Sequence, residues 1–221
     1  MILETRADGP FMKNGFVLGC ERTREGVIID PGDEVDQLLE IIDREQLSIR
    51  YILLTHAHMD HISGVGRAKQ VLNAPIGLHK DDLFLYRGVV QQGLAFGFHV
   101  DPQPPVDFFY DGPGPWRFGD FGAWVHHTPG HCPGGVCLAI RKHHADGQPD
   151  AGEKPVLIVG DTLFAGSIGR TDLPGGDLPT LIRSIREVLF SFPEECVVHS
   201  GHGPTTTIGR EKQTNPYLSG L

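Results

Sequence analysis

Branched and aromatic residues gather early in the chain into short runs closed by turn formers: NGFVLGC, EGVIIDPG and IRYILLTH. Runs of that length, bounded by glycine, proline or aspartate, predict β-strands. Between the last two, DEVDQLLEIIDREQLS places Val35, Leu38, Leu39 and Ile42 at helical spacing, which predicts a helix with one buried face. GVGRAKQVLNAP predicts a glycine-started helix and PIGLH a short strand. Residues 81–110 break the pattern, because DDLFLYRGVVQQGLAFGFHV and DPQPPVDFFY are apolar and aromatic without a period. That stretch is expected to be an insertion that covers something, as a pocket wall or a subunit contact. From residue 116 strands resume in WRFG, FGAWVHHT and GGVCLAI, and in KPVLIVGD after the polar loop RKHHADGQPDAGE. LPTLIRSIREVLFSF predicts a helix, CVVHS a strand and GREKQTNPYLSGL a tail. Strands and helices alternate without a linker-like break, which predicts a single α/β domain over residues 1–221.

Charge narrows the partners. Asp and Glu outnumber Lys and Arg by 28 to 19, the formal charge is −9, and the basic residues form no run or stripe. A nucleic acid held through its phosphates is therefore not expected. No segment approaches the roughly 18 continuous apolar residues of a membrane span, and the opening Met-Ile-Leu-Glu-Thr-Arg lacks the basic-then-apolar pattern of an export signal. Cys20, Cys132, Cys137 and Cys196 have no CxxC spacing, which points away from a zinc knuckle or disulfide scaffold and fits a reducing cytoplasm. A chain of this length buries a sizeable core unaided, so a homo-oligomer is permitted but not required.

The chemistry concentrates in THAHMDHISG, where His56, His58, Asp60 and His61 fall within six positions. Just beyond a strand, His56 and His58 point the same way, and both imidazoles can reach one ion. Asp60 and His61 follow at the expected entry to a helix, where the chain turns towards a neighbouring point. One loop thus half-builds two metal sites, and the missing donors should come from elsewhere. Three candidates each follow a β-like run: His131 in WVHHTPGH, Asp161 in VLIVGD and His202 in CVVHSGH. Function in α/β proteins gathers at strand ends, where rigid strands hold converging loops. Gly130, Gly160 and Gly201 flank these candidates and allow backbone turns. The other histidines, at 79, 99, 126, 127, 143, 144 and 199, are assigned to solvent, packing or the insertion rather than to metal.

With these residues in view, the chain resembles the metallo-β-lactamase superfamily, whose HxHxDH loop is met as His56, His58, Asp60 and His61, followed in order by His131, Asp161 and His202. Within it, GDTLFAGSIGRTDLPGGD and GHGPTTTIGREKQTNP are similar to the short bacterial forms of the glyoxalase II branch, the hydroxyacylglutathione hydrolases. The resemblance implies a four-layer αββα sandwich with the metals at the edge where two sheets meet. It implies that His56, His58 and His131 hold one ion, that Asp60, His61 and His202 hold a second, and that Asp161 bridges them. The ions would be zinc, with iron or manganese as alternatives. The chain departs from the branch at Gly203 and Pro204, where a tyrosine usually follows the last histidine, and in stopping soon after His202. Full-length glyoxalase II enzymes continue there into a helical region that grips glutathione.

Such a centre implies a metal-dependent hydrolase in which hydroxide bridging the ions attacks a carbonyl. The expected substrate is a small-molecule thioester such as S-D-lactoylglutathione, because a thiolate leaves without a dedicated acid. Asp60 is the candidate to orient the hydroxide. Arg170 is the candidate to meet a substrate carboxylate through its forked guanidinium, against the alternative of an ion pair with Asp172 or Asp177. Three other readings share the ligands: a persulfide dioxygenase with a single iron on His56, His131 and Asp161; a lactonase, phosphodiesterase or β-lactamase on the dinuclear centre; and a non-catalytic metal-binding protein.

Overall fold

The computed structural model describes residues 1–150 and 152–218, and its first sheet begins with a strand the hydrophobic pattern did not mark. Along the chain lie β1 (Ile2–Asp8), β2 (Lys13–Gly19), β3 (Glu25–Ile29), α1 (Val35–Arg44), β4 (Ser48–Leu53), α2 (Met59–Ile62), α3 (Val65–Leu72) and β5 (Ile76–Leu78). A 3₁₀ turn at Lys80–Asp82 leads into α4 (Leu83–Arg87), α5 (Val89–Phe96) and β6 (Phe108–Phe109). These six strands pair in chain order; the first three are antiparallel, and β3 through β6 run parallel.

The second half repeats the design. It contains β7 (Trp116–Phe118), β8 (Phe121–His127), β9 (Val136–Lys142), β10 (Val156–Ile158), the small hairpin β11 (Leu163–Phe164) and β12 (Ser167–Ile168), α6 (Leu178–Glu187), β13 (Val197–His199), β14 (Thr206–Thr207) and α7 (Ile208–Thr214). The second sheet has the order β14-β13-β10-β9-β8-β7.

Period-two alternation sorts the strand residues into layers. In the first sheet Val17, Ile28 and Ile52 pack with Leu38, Ile41 and Ile42 of α1, while Phe16, Leu18, Val27, Ile29 and Leu53 turn the other way. That inner face meets Leu138, Ile140 and Ile158 of the second sheet. The outer partners of those strands, Cys137, Ala139 and Leu157, pack on Leu181 and Ile185 of α6. Three buried seams separate four layers, so the αββα sandwich is the observed architecture. Each fully buried Leu, Ile or Val contributes about 1.5–3 kcal/mol relative to exposure, so these seams hold both sheets rigid.

Residues 81–110, aperiodic in sequence, carry α4 and α5 in their first half, and Gln92 of α5 bonds the backbone on either side of His58, its Nε2 donating to Ala57 O and its Oε1 accepting from Met59 N. Gln92 and Phe96 wall a cavity beside that loop, the first of the two expected roles. The tail contains α7, which is capped by the Thr207 hydroxyl accepting from Arg210 N at 3.2 Å.

The start of β2, just after the β1–β2 turn, is clasped to the loop after β13. Asn14 N donates to Gly201 O at 2.7 Å, and Asn14 Nδ2 donates to Ser200 O at 3.0 Å and Gly203 O at 2.9 Å. Beneath this clasp, Lys13 is buried and its Nζ donates to the Asp30 carbonyl and, at 2.5 Å, to Glu34 Oε1.

Candidate metal centre

The loops after β3, β4, β10 and β13 and the turn between β8 and β9 converge at one edge of the sandwich. They bring His56, His58, Asp60, His61, His131, Asp161 and His202 together. One group of mutually close donors is His56, His58 and His131, and another is Asp60, His61 and His202. Asp161 lies between them: its Oδ1 is 3.4 Å from His61 Nε2, and its Oδ2 is 3.6 Å from His131 Nε2 and 3.4 Å from His202 Nε2. All of the sequence-derived donors thus share one cluster.

Each ring is held by its other nitrogen. His56 Nδ1 faces Thr55 Oγ1 at 3.1 Å, and His61 Nδ1 faces Asp30 Oδ2 at 3.0 Å. His131 Nδ1 donates to Arg170 O at 2.7 Å and His202 Nδ1 to Phe11 O at 3.0 Å. These bonds orient the rings and place the ligating lone pair on Nε2. His58 is the exception, with its Nδ1 only 2.8 Å from His131 Nε2. Two imidazole nitrogens so close require a shared proton or a cation.

The donor set fits a divalent metal. Among the described residues, the buried side-chain atoms without a hydrogen-bond partner include His56 Nε2, His61 Nε2 and Asp161 Oδ1 in the cluster, besides His58 Nε2, Glu34 Oε2 and Arg141 Nε. Buried polar atoms are ordinarily paired, and the three cluster atoms are ones that a divalent cation would satisfy. Imidazole with carboxylate suits Zn²⁺, Fe²⁺ or Mn²⁺.

Protonation shows how the metal-free cluster balances its charge. Burial pushes His58 down to about 3, aided by the neighbouring His131, and burial with His61 holds His56 well below the usual range. Burial also opposes charge on His61 and His202, but the Asp161 and Asp60 carboxylates prevail and raise them to about 9 and about 10. Against its own burial, Asp60 is held at about 2 by His61 and His202. The two cationic histidines stand in for metal charge, and ligation must displace their protons.

The glycines act in two ways. Gly160 has φ +51°, a left-handed turn that aims Asp161. Gly201 needs space instead: a Cβ there would lie 2.1 Å from Asp161 Oδ1 and 2.6 Å from His61 Cε1.

A cavity of about 110 Å³ opens over the cluster between Phe11, Met59, Gln92, Phe96, Arg170 and Leu173. Phe11 packs edge-on against Phe96 and Phe98, with ring centroids 5.9 and 5.6 Å apart. Arg170 reaches the wall, but both arms of its fork meet Asp172 at 2.7 Å, while Asp177 caps α6 through Thr180 N. A substrate carboxylate would have to displace Asp172.

Sequence reasoning missed Asp30. Wholly buried, it accepts from Thr55 N at 2.7 Å and Thr55 Oγ1 at 2.5 Å besides facing His61. Its signal was present, an acidic residue directly after the branched run VII, but Asp-Pro-Gly also marks a plain turn. A further group, His79, Asp81 and His127, lies apart from the cluster. The two rings stack at 4.2 Å and 15°, so their in-plane lone pairs run side by side rather than converging, and we assign no metal there.

Comparison with known proteins places this geometry. A family model of the metallo-beta-lactamase superfamily matches residues 8–144 and 141–202. Hydroxyacylglutathione hydrolase GloC of Haemophilus influenzae is 36% identical over 198 residues, covering 89% of this chain and 88% of GloC. TTHA1623, solved in a di-iron-bound form, superposes with a TM-score of 0.82 at 37% identity, covering 97% of this chain and 100% of the other. BLEG-1, a B3 metallo-beta-lactamase, does so at 0.83 and 36% identity, covering 99% and 100%. On sequence, fold and donor arrangement together, this chain belongs to the metallo-beta-lactamase superfamily.

Proposed function

We propose that the chain is a dinuclear metal-dependent hydrolase acting on a small thioester, with S-D-lactoylglutathione as the leading substrate. The observation that carries the reading is the pair of donor trios flanking Asp161. His56, His58 and His131 would hold one ion, Asp60, His61 and His202 the other, and Asp161 would serve both. Zn²⁺ is the leading metal, and the di-iron form of TTHA1623 supports iron as the alternative. Bound there, two divalent ions supply water that ionises near neutral pH and a Lewis-acid contact for the carbonyl oxygen.

The residues of the chain do the rest. Asp60 lines the cavity and orients the attacking water. Phe11, Phe96 and Leu173 give the acyl group an apolar wall, and Gln92 fixes the metal loop to that wall through Ala57 O and Met59 N. A thioester suits such a site because its thiol, with a pKa of about 8.5, departs as thiolate without an acid from the protein. The similarity to GloC supports a glutathione conjugate. The four cysteines are buried free thiols, in keeping with a reducing cytoplasm.

The test is hydrolysis of S-D-lactoylglutathione by purified protein whose metal content is measured on the same sample. Rapid turnover with about two ions per chain is expected. Full loading without turnover refutes the thioester and moves the substrate to a lactone, β-lactam or phosphodiester; one iron with oxygen uptake refutes hydrolysis in favour of persulfide oxidation.

A further inference from the structure

Asp82 stands outside the donor cluster, at the end of the 3₁₀ turn Lys80–Asp82, and is wholly buried. Its Oδ2 accepts from the backbone N–H of Ala57 and from the Cys132 thiol, each at 3.1 Å, and its Oδ1 accepts from Gly134 N at 2.5 Å. Ala57 lies between His56 and His58, and Cys132 directly follows His131. One carboxylate therefore ties together the two loops that carry the first trio of donors. The approach is close enough to require glycine, since a Cβ on Gly134 would lie 2.6 Å from Asp82 N and 2.8 Å from Asp82 Cβ.

A buried carboxylate needs donors wherever it sits. What distinguishes Asp82 is their source: all three come from the two histidine loops. We propose that Asp82 is a positioning residue for the metal centre, setting the separation of the His56–His58 loop from the His131 loop and hence the spacing of the three imidazoles. An anionic carboxylate accepts from all three donors at once. An amide of the same size offers a single acceptor oxygen and turns an NH₂ group towards a backbone N–H, which forces the loops apart without opening a cavity. The inference rests on the metal centre and not on the identity of the substrate.

The test compares the intact chain with Asp82→Asn and Cys132→Ala. Stepwise Zn²⁺ affinities are measured by chelator competition, and the visible bands of the Co²⁺-loaded proteins are recorded. Asp82→Asn is expected to weaken one ion by about 10–100-fold and shift its Co²⁺ bands, leaving the other ion within about threefold of wild type. Cys132→Ala keeps two of the three bonds and should shift the same bands with a smaller loss. Wild-type affinity and spectrum in folded Asp82→Asn overturn the proposal, as does equal weakening of both ions. If Asp82→Asn does not fold, unchanged bands in Cys132→Ala overturn it. A wild-type protein that binds no metal refutes the centre itself, and that is seen before any variant is compared.

Discussion

Replacing Asp30 with asparagine changes almost no volume but reverses the hydrogen bonding at the base of the site. Asp30 Oδ2 faces His61 Nδ1 at 3.0 Å, which keeps the proton on Nδ1 and the lone pair on Nε2, the nitrogen nearest Asp60 and Asp161. The asparagine oxygen is drawn to Thr55 N, the donor that Asp30 Oδ1 meets at 2.7 Å, so the amide NH₂ turns towards His61. The ring then satisfies the NH₂ only by accepting at Nδ1, which moves its proton to Nε2 and blocks ligation there. A hydrogen bond to a charged group contributes about 1.5–3 kcal/mol, equivalent to a loss of roughly 10–150-fold in affinity at 1.4 kcal/mol per decade. The same NH₂ also faces Thr55 Oγ1, which donates to Asp30 Oδ2 at 2.5 Å and faces His56 Nδ1 at 3.1 Å. On the proposed assignment the direct loss falls on the ion that Asp60, His61 and His202 would hold, with a smaller one relayed through Thr55 to the ion at His56. Metal content after dialysis at fixed free Zn²⁺, with chelator competition, should therefore show both ions weakened, one more than the other. Two ions bound with unchanged affinities would falsify the tautomer argument.

Other perturbations give separate outcomes. Asp161→Asn removes the carboxylate between the trios and should cost at least about 100-fold in activity with loss of metal but a native circular-dichroism spectrum, whereas His143→Ala, at a half-buried ring outside the donor cluster, should match wild type in activity and metal content; activity in metal-depleted Asp161→Asn would sink the assignment. Lys13→Ala strands the buried Glu34 carboxylate and should cost about 3–5 kcal/mol in urea unfolding, a loss that Glu34→Gln in the same chain partly restores; a cost below about 1 kcal/mol would mean that the pair behaves like a surface one. In metal-free protein, His61 and His202 are held at about 9 and about 10, above the usual histidine value. Their stabilisation is complete below about 6.5 and disappears as pH rises through those values. Asp60, held at about 2, contributes in the opposite sense and fails only as pH falls through that value. Melting temperature with chelator present should decline from neutral pH to pH 10 and stay level when metal is bound; a flat metal-free profile would contradict the charge balance.

The strands and helices that a reader of the sequence can place are those with one wet face or a continuous apolar run. α1 was legible because Val35, Leu38 and Ile42 repeat at helical spacing, and Leu38 and Ile42 indeed pack against the first sheet. β1 was not, because all but the last of its residues are half-buried at a sheet edge and no alternation survives. α5 was hidden for a different reason: Val89 and Gly93 face inwards while Leu94 and Phe96 stay exposed, so its apolar residues mark two surfaces instead of one. The candidate metal donors were legible because histidines and aspartates crowded at strand ends stand out from the apolar runs before them. Asp30 and Asp82 act through backbone N–H groups, thiol or ring, and such carboxylates look like turn formers until the loops they join are seen together.

The clasp that holds the β1–β2 turn and the start of β2 to the loop after β13 bears on how the molecule comes into being. His202 is oriented by the carbonyl of Phe11, a partner 191 positions away, so this contact closes nearly the whole chain as one loop. Long-range closures form late, after local structure is in place, and on the ribosome residue 202 emerges well after residue 131. The first trio waits only for Arg170, whose carbonyl orients His131 from 39 positions on. On the proposed assignment the two ions differ in the moment at which they can be captured: the first can enter a nascent chain, whereas the second can be taken up only once the Phe11 turn and the His202 loop have met.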